Sequence, residues 1–289
     1  MFSFIQEFKQ KTRFFYGLSR RAEAIYAMLN RMYREPLLAA EKQADPRILA
    51  PYGFTAYSQG DDDGILEEIF RRIGATNKQF IDFGCAEGIE NNTTYLALTG
   101  WSGLWMDGGE ENIRTAHKHF QRQIESGKLK VRQSFITREN INSLIEDAGL
   151  DREPDLLSID IDGNDYWIWE AIHTIQPRVV VIEYNATFRP PHQIVQDYDA
   201  AYRWRSTNYY GASLKAIEAL GVKKGYSLVG CNFAGVNAFL VRNDLAREDL
   251  FSTPFTAEHH YREAMHDAFV RGYSRHAKDV GPYINLAGD

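Results

Sequence analysis

The stretch "DLLSIDIDGNDYWIW", residues 155–169, runs from an apolar segment through three carboxylates, Asp160, Asp162 and Asp165, into an aromatic segment. Calcium is the first explanation to test. An EF-hand loop takes oxygen ligands at positions one, three and five, a glycine at six and a glutamate at twelve. Counted from Asp160, Asp162 and Asn164 fit, but position six is Asp165 and position twelve is Ala171. The residues "PDLLSI" before the acids read as a short buried strand rather than a helix. "YWIWEAIHTI" after them reads as a helix. A strand that ends in acids and passes into a helix is one unit of an α/β sheet, and the chain repeats that unit.

Outward from this unit the same pattern recurs. "GILEEIFRRIG" (64–74) is helical, with Gly74 as its stop signal. "QFIDFG" (79–84), "SGLWMDGG" (102–109), "KVRQSFI" (130–136), "DLLSIDID" (155–162) and "RVVVIEYN" (178–185) read as strands, the first four each followed by a helical pattern. The fifth is so rich in β-branched residues that it belongs at the centre of a sheet. A helix, "SLKAIEALGVKKG" (213–225), precedes two last strands, "YSLVGCN" and "NAFLVRND", joined by "FAGV" in a short hairpin. The expected fold is therefore α/β: a doubly wound, mostly parallel seven-stranded sheet with right-handed crossovers, closed by an antiparallel C-terminal hairpin. Residues 1–56 read as a helical N-terminal cap, 57–250 as the sheet domain and 251–289 as a C-terminal helical tail, with "AEHHYREAMHDAFVRGYSRH" as a surface helix.

The bulk composition narrows the function. The chain has 289 residues, 44% hydrophobic and 25% charged, with 9 prolines, which describes a globular protein with a substantial core. A net charge of −6 argues against nucleic acid as a partner, since phosphate contacts need basic surface. Two distant cysteines, Cys85 and Cys231, are too few for a disulfide framework or a thiolate zinc site and point to a reducing cytoplasm. No apolar run reaches the ~20 residues that span a bilayer. The N-terminus departs from the average: residues 1–34 are rich in Phe, Lys and Arg and nearly free of acid. Such a segment can pack its aromatic face on the main domain, the commoner arrangement, or lie peripherally on an anionic membrane. The sequence leaves open a homo-oligomer.

In an open α/β sheet, ligands sit beyond the carboxyl ends of the strands, near the switch point. After the first strand comes "DFGCAEGIENN", in which Gly84 and Gly88 are spaced G-x-x-x-G, so the dinucleotide fingerprint G-x-G-x-x-G is absent. Asp82, two residues before the first glycine, suits a cationic amino group rather than a pyrophosphate. Asp107, at the end of the second strand, follows Gly84 by 23 positions, near the ~20 expected of an acid that receives ribose hydroxyls. A nucleoside carrying an amino-acid tail meets both demands, and S-adenosylmethionine is that molecule. Read singly, Asp82 is a helix cap and Asp107 the start of a turn.

The segments "FIDFGCAEG", "GLWMDGG", "DLLSIDIDGNDY", "VVVIEYN" and "GYSLVGCNFAGVNAFLVRND" together resemble a class I S-adenosylmethionine-dependent methyltransferase of the FkbM-like family, over about residues 57–243. The resemblance implies a Rossmann-like methyltransferase fold and O-methylation of a sugar hydroxyl in a glycan, glycolipid or natural product. It also implies a cofactor site in which Asp82, Gly84 and Gly88 line the methionine part, with Glu87, Asn92 and Asp160 also among the cofactor-binding residues. Asp107 and Gly108 would then hold the ribose, Ser134 or Phe135 would lie beside the adenine, and Gln59, in "YSQGDDDG" (57–64), would lie in a lid over the cofactor. The "CAEG" turn and the "DIDGND" cluster depart from the family pattern.

The fourth and fifth strands end in Asp160, Asp162, Glu183 and Asn185, on the same sheet edge as the expected methyl donor. A hydroxyl that attacks a sulfonium methyl must lose its proton. A carboxylate or His192 can take that proton; alternatively Asp160, Asp162, Glu183 and Asn185 can hold Mg2+ or another divalent cation that lowers the hydroxyl pKa. A plain turn with an N-cap would explain the same residues without chemistry. The segment 185–213 is long for a connection and dense in aromatics, which suits a substrate lid. Tyr198, Tyr202, Trp204, Tyr209 and Tyr210 are the candidates for stacking on a sugar, and Arg189 and Arg205 for an acidic group, although most loop aromatics simply pack. Two other functions compete: a nicotinamide-dependent sugar oxidoreductase and a non-catalytic binding module.

Overall fold

In the computed structural model the described residues are 21, 22, 24, 25, 28–265 and 276–287. The strands are β1 (Gln79–Phe83), β2 (Ser102–Asp107), β3 (Leu129–Gln133), β4 (Leu156–Ile159), β5 (Val179–Glu183), β6 (Ile194–Gln196), β7 (Tyr226–Cys231), β8 (Asn237–Arg242) and β9 (Tyr283–Asn285). The helices are α1 (Asp62–Ile73), α2 (Thr94–Leu98), α3 (Glu110–His119), α4 (Gln121–Glu125), α5 (Ile141–Ala148), α6 (Asp165–Ala171), α7 (Leu214–Lys224) and α8 (Ala257–His260). A further helix runs over 28–44.

Seven strands form one sheet in the order β3-β2-β1-β4-β5-β8-β7. All neighbours pair in parallel except β8, which lies antiparallel between β5 and β7. This is the doubly wound, mostly parallel sheet with an antiparallel closing hairpin expected from the sequence. Both faces of the sheet are covered, which is why its strands read as continuous apolar runs. Along β5, Val179 and Val181 enter one core with α1, α2 and α3, while Val180 and Ile182 enter the other with α5, α6 and α7. The two-residue period of a strand sends alternate side chains to opposite cores.

The amino ends of the central strands are held by one buried carboxylate. Asp155 accepts the backbone N–H groups of Thr76, Asn77 and Lys78, the Thr76 hydroxyl, and Arg178 Nη1 at 2.6 Å. Arg178 also donates to the carbonyls of Ile73 and Gly74. The residues that precede β1, β4 and β5 are thereby tied together.

Several elements differ from the sequence expectation. The helix after β4 stops at Ala171, because the Asn142 amide donates to the Ala171 carbonyl while its Oδ1 accepts the His173 N–H. The helix expected over 257–276 is helical only at Ala257–His260; residues 266–275 lie outside the described ones. The tail instead supplies β9, which pairs antiparallel with β6 inside the 185–213 insertion. Alternating short segments of this kind carry too few residues to show a period. Of the N-terminal cap, the helix over 28–44 is described, whereas most of the basic segment falls outside the described residues. No described helix is long and apolar enough to cross a membrane.

Removing Asp155 leaves the buried Arg178 guanidinium without its ion partner and three amides without their acceptor, so Asp155→Ala should cost about 3–5 kcal/mol in urea unfolding. A loss below about 1 kcal/mol would show that the network does not hold the strands.

Candidate active site

A cavity of about 1580 Å³ opens along the carboxyl edge of the sheet. Among the residues named from sequence, Gln59, Asp82, Gly84, Asn92, Asp107, Gly108, Ser134, Phe135, Asp160, Asp162, Glu183, Tyr202, Trp204 and Tyr210 line it. The strand order accounts for this: β2, β1, β4 and β5 are consecutive neighbours, so their ends open into one space.

Asp107 ends β2. Its Oδ1 accepts the Gly109 N–H at 2.7 Å and the Asn112 amide at 3.0 Å, and its Oδ2 accepts the Ala86 N–H at 3.0 Å. A carboxylate has about four acceptor positions, so one remains free. Phe135 lies beyond β3 with 40% of its surface exposed, and the Arg203 guanidinium stands 3.7 Å above its ring. Asp82 turns inward: it is buried and accepts the Thr93 hydroxyl at 2.6 Å, and that hydroxyl in turn receives the Trp105 indole N–H at 2.7 Å. Burial pushes the Asp82 carboxyl up to about 7 against the hydroxyl bonds that oppose it.

The acidic turn after β4 divides its carboxylates by task. Asp165 is buried and accepts the backbone N–H of Ile161 at 2.9 Å and of Gly163 at 2.8 Å, so it folds the turn at the head of α6. Asp162 sits in the left-handed region with φ 58° and is exposed within the cavity. Carboxylate oxygens of Asp160, Asp165 and Glu183 lie within 4.8 Å of one another. Glu183 Oε2 is buried with no hydrogen-bond partner among the described residues. Burial, then the charges of neighbouring acids, holds Asp160 and Glu183 well above the usual carboxylate range. Burial also raises Asp165, to about 6.

Other residues named from sequence stand elsewhere. Glu87 is exposed and outside the cavity lining, where Glu90 is found instead. Gly88 faces Trp105, whose ring lies 2.5 Å from where a Cβ would be. Asn185 is fully engaged: its amide donates to the carbonyls of Asn208 and Tyr210, and its Oδ1 accepts the Thr187 N–H. The oxygen cluster therefore holds Asp165 where the sequence suggested Asp162 and Asn185. His192 is exposed away from the cavity, and Arg189 pairs with Glu263 on the surface. Tyr198 donates to Glu139, and Tyr209 donates to the Pro282 carbonyl.

The sequence reading missed a second polar wall. Asp61 and Asp62, at the head of α1, line the cavity beside Asn232, Phe233 and Asn237 of the β7–β8 turn. Asp61 pairs with Arg34 of the cap helix at 2.8 Å, and Asp62 accepts the amides of Asn232 and Asn237. Burial, and next the Asp61 charge, push Asp62 up to about 7. The available signal was "GDDDG": three acids at a helix start, where the macrodipole favours them.

A carboxyl whose folded pKa lies above its ordinary ~4 holds its proton more tightly folded than unfolded. Asp62, Asp82 and Asp165 therefore favour the fold at low pH and oppose it increasingly between about 4 and about 7. Thermal unfolding without added metal should show Tm falling from about pH 5 to about pH 8, with Asp62→Asn flattening the slope. A Tm that rises over this range would contradict the assigned burial.

No protein-family model matches the chain, and no curated protein matches it. Among solved structures it is similar to magnesium protoporphyrin IX methyltransferase from Synechocystis PCC 6803 with bound SAM, at 13% identity over 63% of this chain and 77% of that one, TM-score 0.42. It is also similar to a S-adenosylmethionine-dependent methyltransferase from Clostridium acetobutylicum ATCC 824, at 13% identity over 73% and 99%, TM-score 0.39. The N-terminal domain of EvdMO1, crystallised in the presence of SAH and D-fucose, matches at 15% identity over 72% and 96%, TM-score 0.43. At these identities and TM-scores the likeness assigns no activity to this chain.

Proposed function

We propose that the chain is an S-adenosylmethionine-dependent O-methyltransferase acting on a hydroxyl of a sugar or glycan-like acceptor. The observation that carries the reading is the joining of two chemically different regions in one cavity. One set is Asp107, Gly108 and Phe135; the other is the acids Asp160, Asp162 and Glu183 with the aromatics Tyr202 and Trp204, and the two sets adjoin where Arg203 stands over the Phe135 ring. The first set fits a nucleoside: Asp107 keeps one acceptor position for a ribose hydroxyl, and Phe135, 40% exposed with Arg203 over one ring face, offers its remaining exposed surface to a base. The cofactor, when bound, supplies an electrophilic methyl group.

The second set fits a hydroxyl acceptor. Tyr202 and Trp204, half-buried in the cavity lining, are aromatic side chains of the kind on which the apolar face of a sugar stacks. Asp160 and Glu183 stand where the acceptor proton must go, and their raised pKa makes either carboxylate a stronger base once ionised. Their crowding has a second consequence. Three hard oxygen donors, one of them unpartnered, match a divalent cation such as Mg2+ held by Asp160, Asp165 and Glu183. A cation there would lower the pKa of a bound hydroxyl and relieve the repulsion among the acids. Asp165 would continue to hold its turn through the Ile161 and Gly163 amides.

Calorimetry should show binding of S-adenosylmethionine and none of NAD, with Asp107→Ala weakening the former at least about tenfold. Unchanged affinity in that variant, or binding of NAD alone, would remove the nucleoside reading. Glu183→Gln should lose at least about a hundredfold in turnover to S-adenosylhomocysteine on a sugar acceptor while binding the cofactor normally. If the cation is required, chelation should abolish turnover, and added Mg2+ should raise Tm more at pH 8 than at pH 5.5, because metal and protons compete for the same oxygens. Full turnover with chelator would leave the carboxylates as bases alone.

A further inference from the structure

The helix over 28–44 has two faces with opposite fates. Arg34, Leu38 and Lys42, spaced by four, line the cavity. Arg34 is fixed to Asp61 at 2.8 Å, and the Lys42 ammonium lies 4.0 Å above the Tyr52 ring. The other face points to solvent and is apolar: Met28 is 64% exposed, Leu29 59%, Met32 62%, Tyr33 58% and Leu37 42%. Ile25, 60% exposed, continues the spacing toward the N-terminus. These positions form the stripe at i, i+3, i+4, i+7, i+8 that a helix normally buries. Six large apolar side chains in one stripe exceed the scattered exposure of an ordinary surface and mark a contact site.

The charge around the stripe selects the partner. Residues 1–34 carry seven Lys and Arg against Glu7 and Glu23, a net of +5 in a chain whose total is −6. The same segment holds Phe2, Phe4, Phe8, Phe14 and Phe15. The cores of protein–protein contacts shed lysine and net charge. An apolar helical face within a basic, aromatic-rich segment is the composition of helices that lie in the headgroup region of anionic bilayers.

We propose that this helix docks the protein on an anionic lipid surface, through Ile25, Met28, Leu29, Met32, Tyr33 and Leu37. The inference is independent of the proposed methyl transfer, and its test uses no turnover. Because the opposite face of the helix is a wall of the cavity, docking places that cavity within one helix diameter, about 10 Å, of the lipid headgroups.

The full chain should be sedimented with vesicles of phosphatidylcholine alone and of phosphatidylcholine with about 30% phosphatidylglycerol. It should pellet with the anionic vesicles only, and about 0.5 M salt should weaken the binding. Met28→Glu combined with Met32→Glu should reduce partitioning at least about tenfold with an unchanged circular dichroism spectrum. Met28→Gln with Met32→Gln, which adds no charge, should give a smaller loss. The proposal is overturned if the wild type stays in the supernatant, or if both double variants pellet as it does. It is equally overturned if light scattering without vesicles shows a dimer that these substitutions convert to monomer, since the face is then a contact between copies.

Discussion

One close approach determines the geometry of the whole edge. At Gly84, φ is +83° and an added Cβ would stand 1.6 Å from the Asp160 carbonyl oxygen. The turn that leaves β1 therefore rests directly on the end of β4, with no room for any side chain. That contact brings the Asp82–Asp107 end of the cavity against the Asp160–Glu183 end. Its origin lies at the opposite edge, where Asp155 and Arg178 align the starts of β4 and β5 with the segment leading into β1. Gly84 also lines the cavity, so the same glycine serves a backbone-to-backbone contact and the cavity wall.

The buried acids of this protein differ in how their charge is compensated, and that difference separates structure from chemistry. Asp155 has Arg178 and three amides, Asp61 has Arg34, and Asp165 has the two amides of its own turn. The first two face a guanidinium; Asp165, with amides alone, is still raised to about 6 by burial. Asp160 and Glu183 have neighbouring acids raising their pKa, and Glu183 Oε2 has no hydrogen-bond partner among the described residues. Such a site is unfavourable when empty and ionised, so it takes up a proton or a cation.

The fold was largely legible because the strands are buried on both faces: "RVVVIEYN" and "DLLSIDID" could be nothing but parallel strands. The short elements were not legible. β6 and β9 have three residues each, and they exist because they pair with each other across about ninety positions of chain. Within the site, residues at strand ends were found by counting, since Asp107, Asp160 and Glu183 each follow residues paired in register with or next to Phe83, and Asp82 lies just before it. Loop residues were not: His192 and Arg189 were chosen for their chemistry, yet the insertion turns both away from the cavity. Trp204 and Tyr210 reach it, while Tyr198 and Tyr209 are engaged on the outside.

Alone, the order of apolar runs and terminal acids determined a doubly wound sheet with carboxylates along one edge, because strand period and burial act over a few neighbouring residues. Which carboxylates are neutralised, which side chains of the insertion face inward, and that Asp62 and Asn237 share the wall were decided only by tertiary structure. The reason is that compensation of a buried charge depends on what lies across a few ångströms of space, and those partners come from distant parts of the chain.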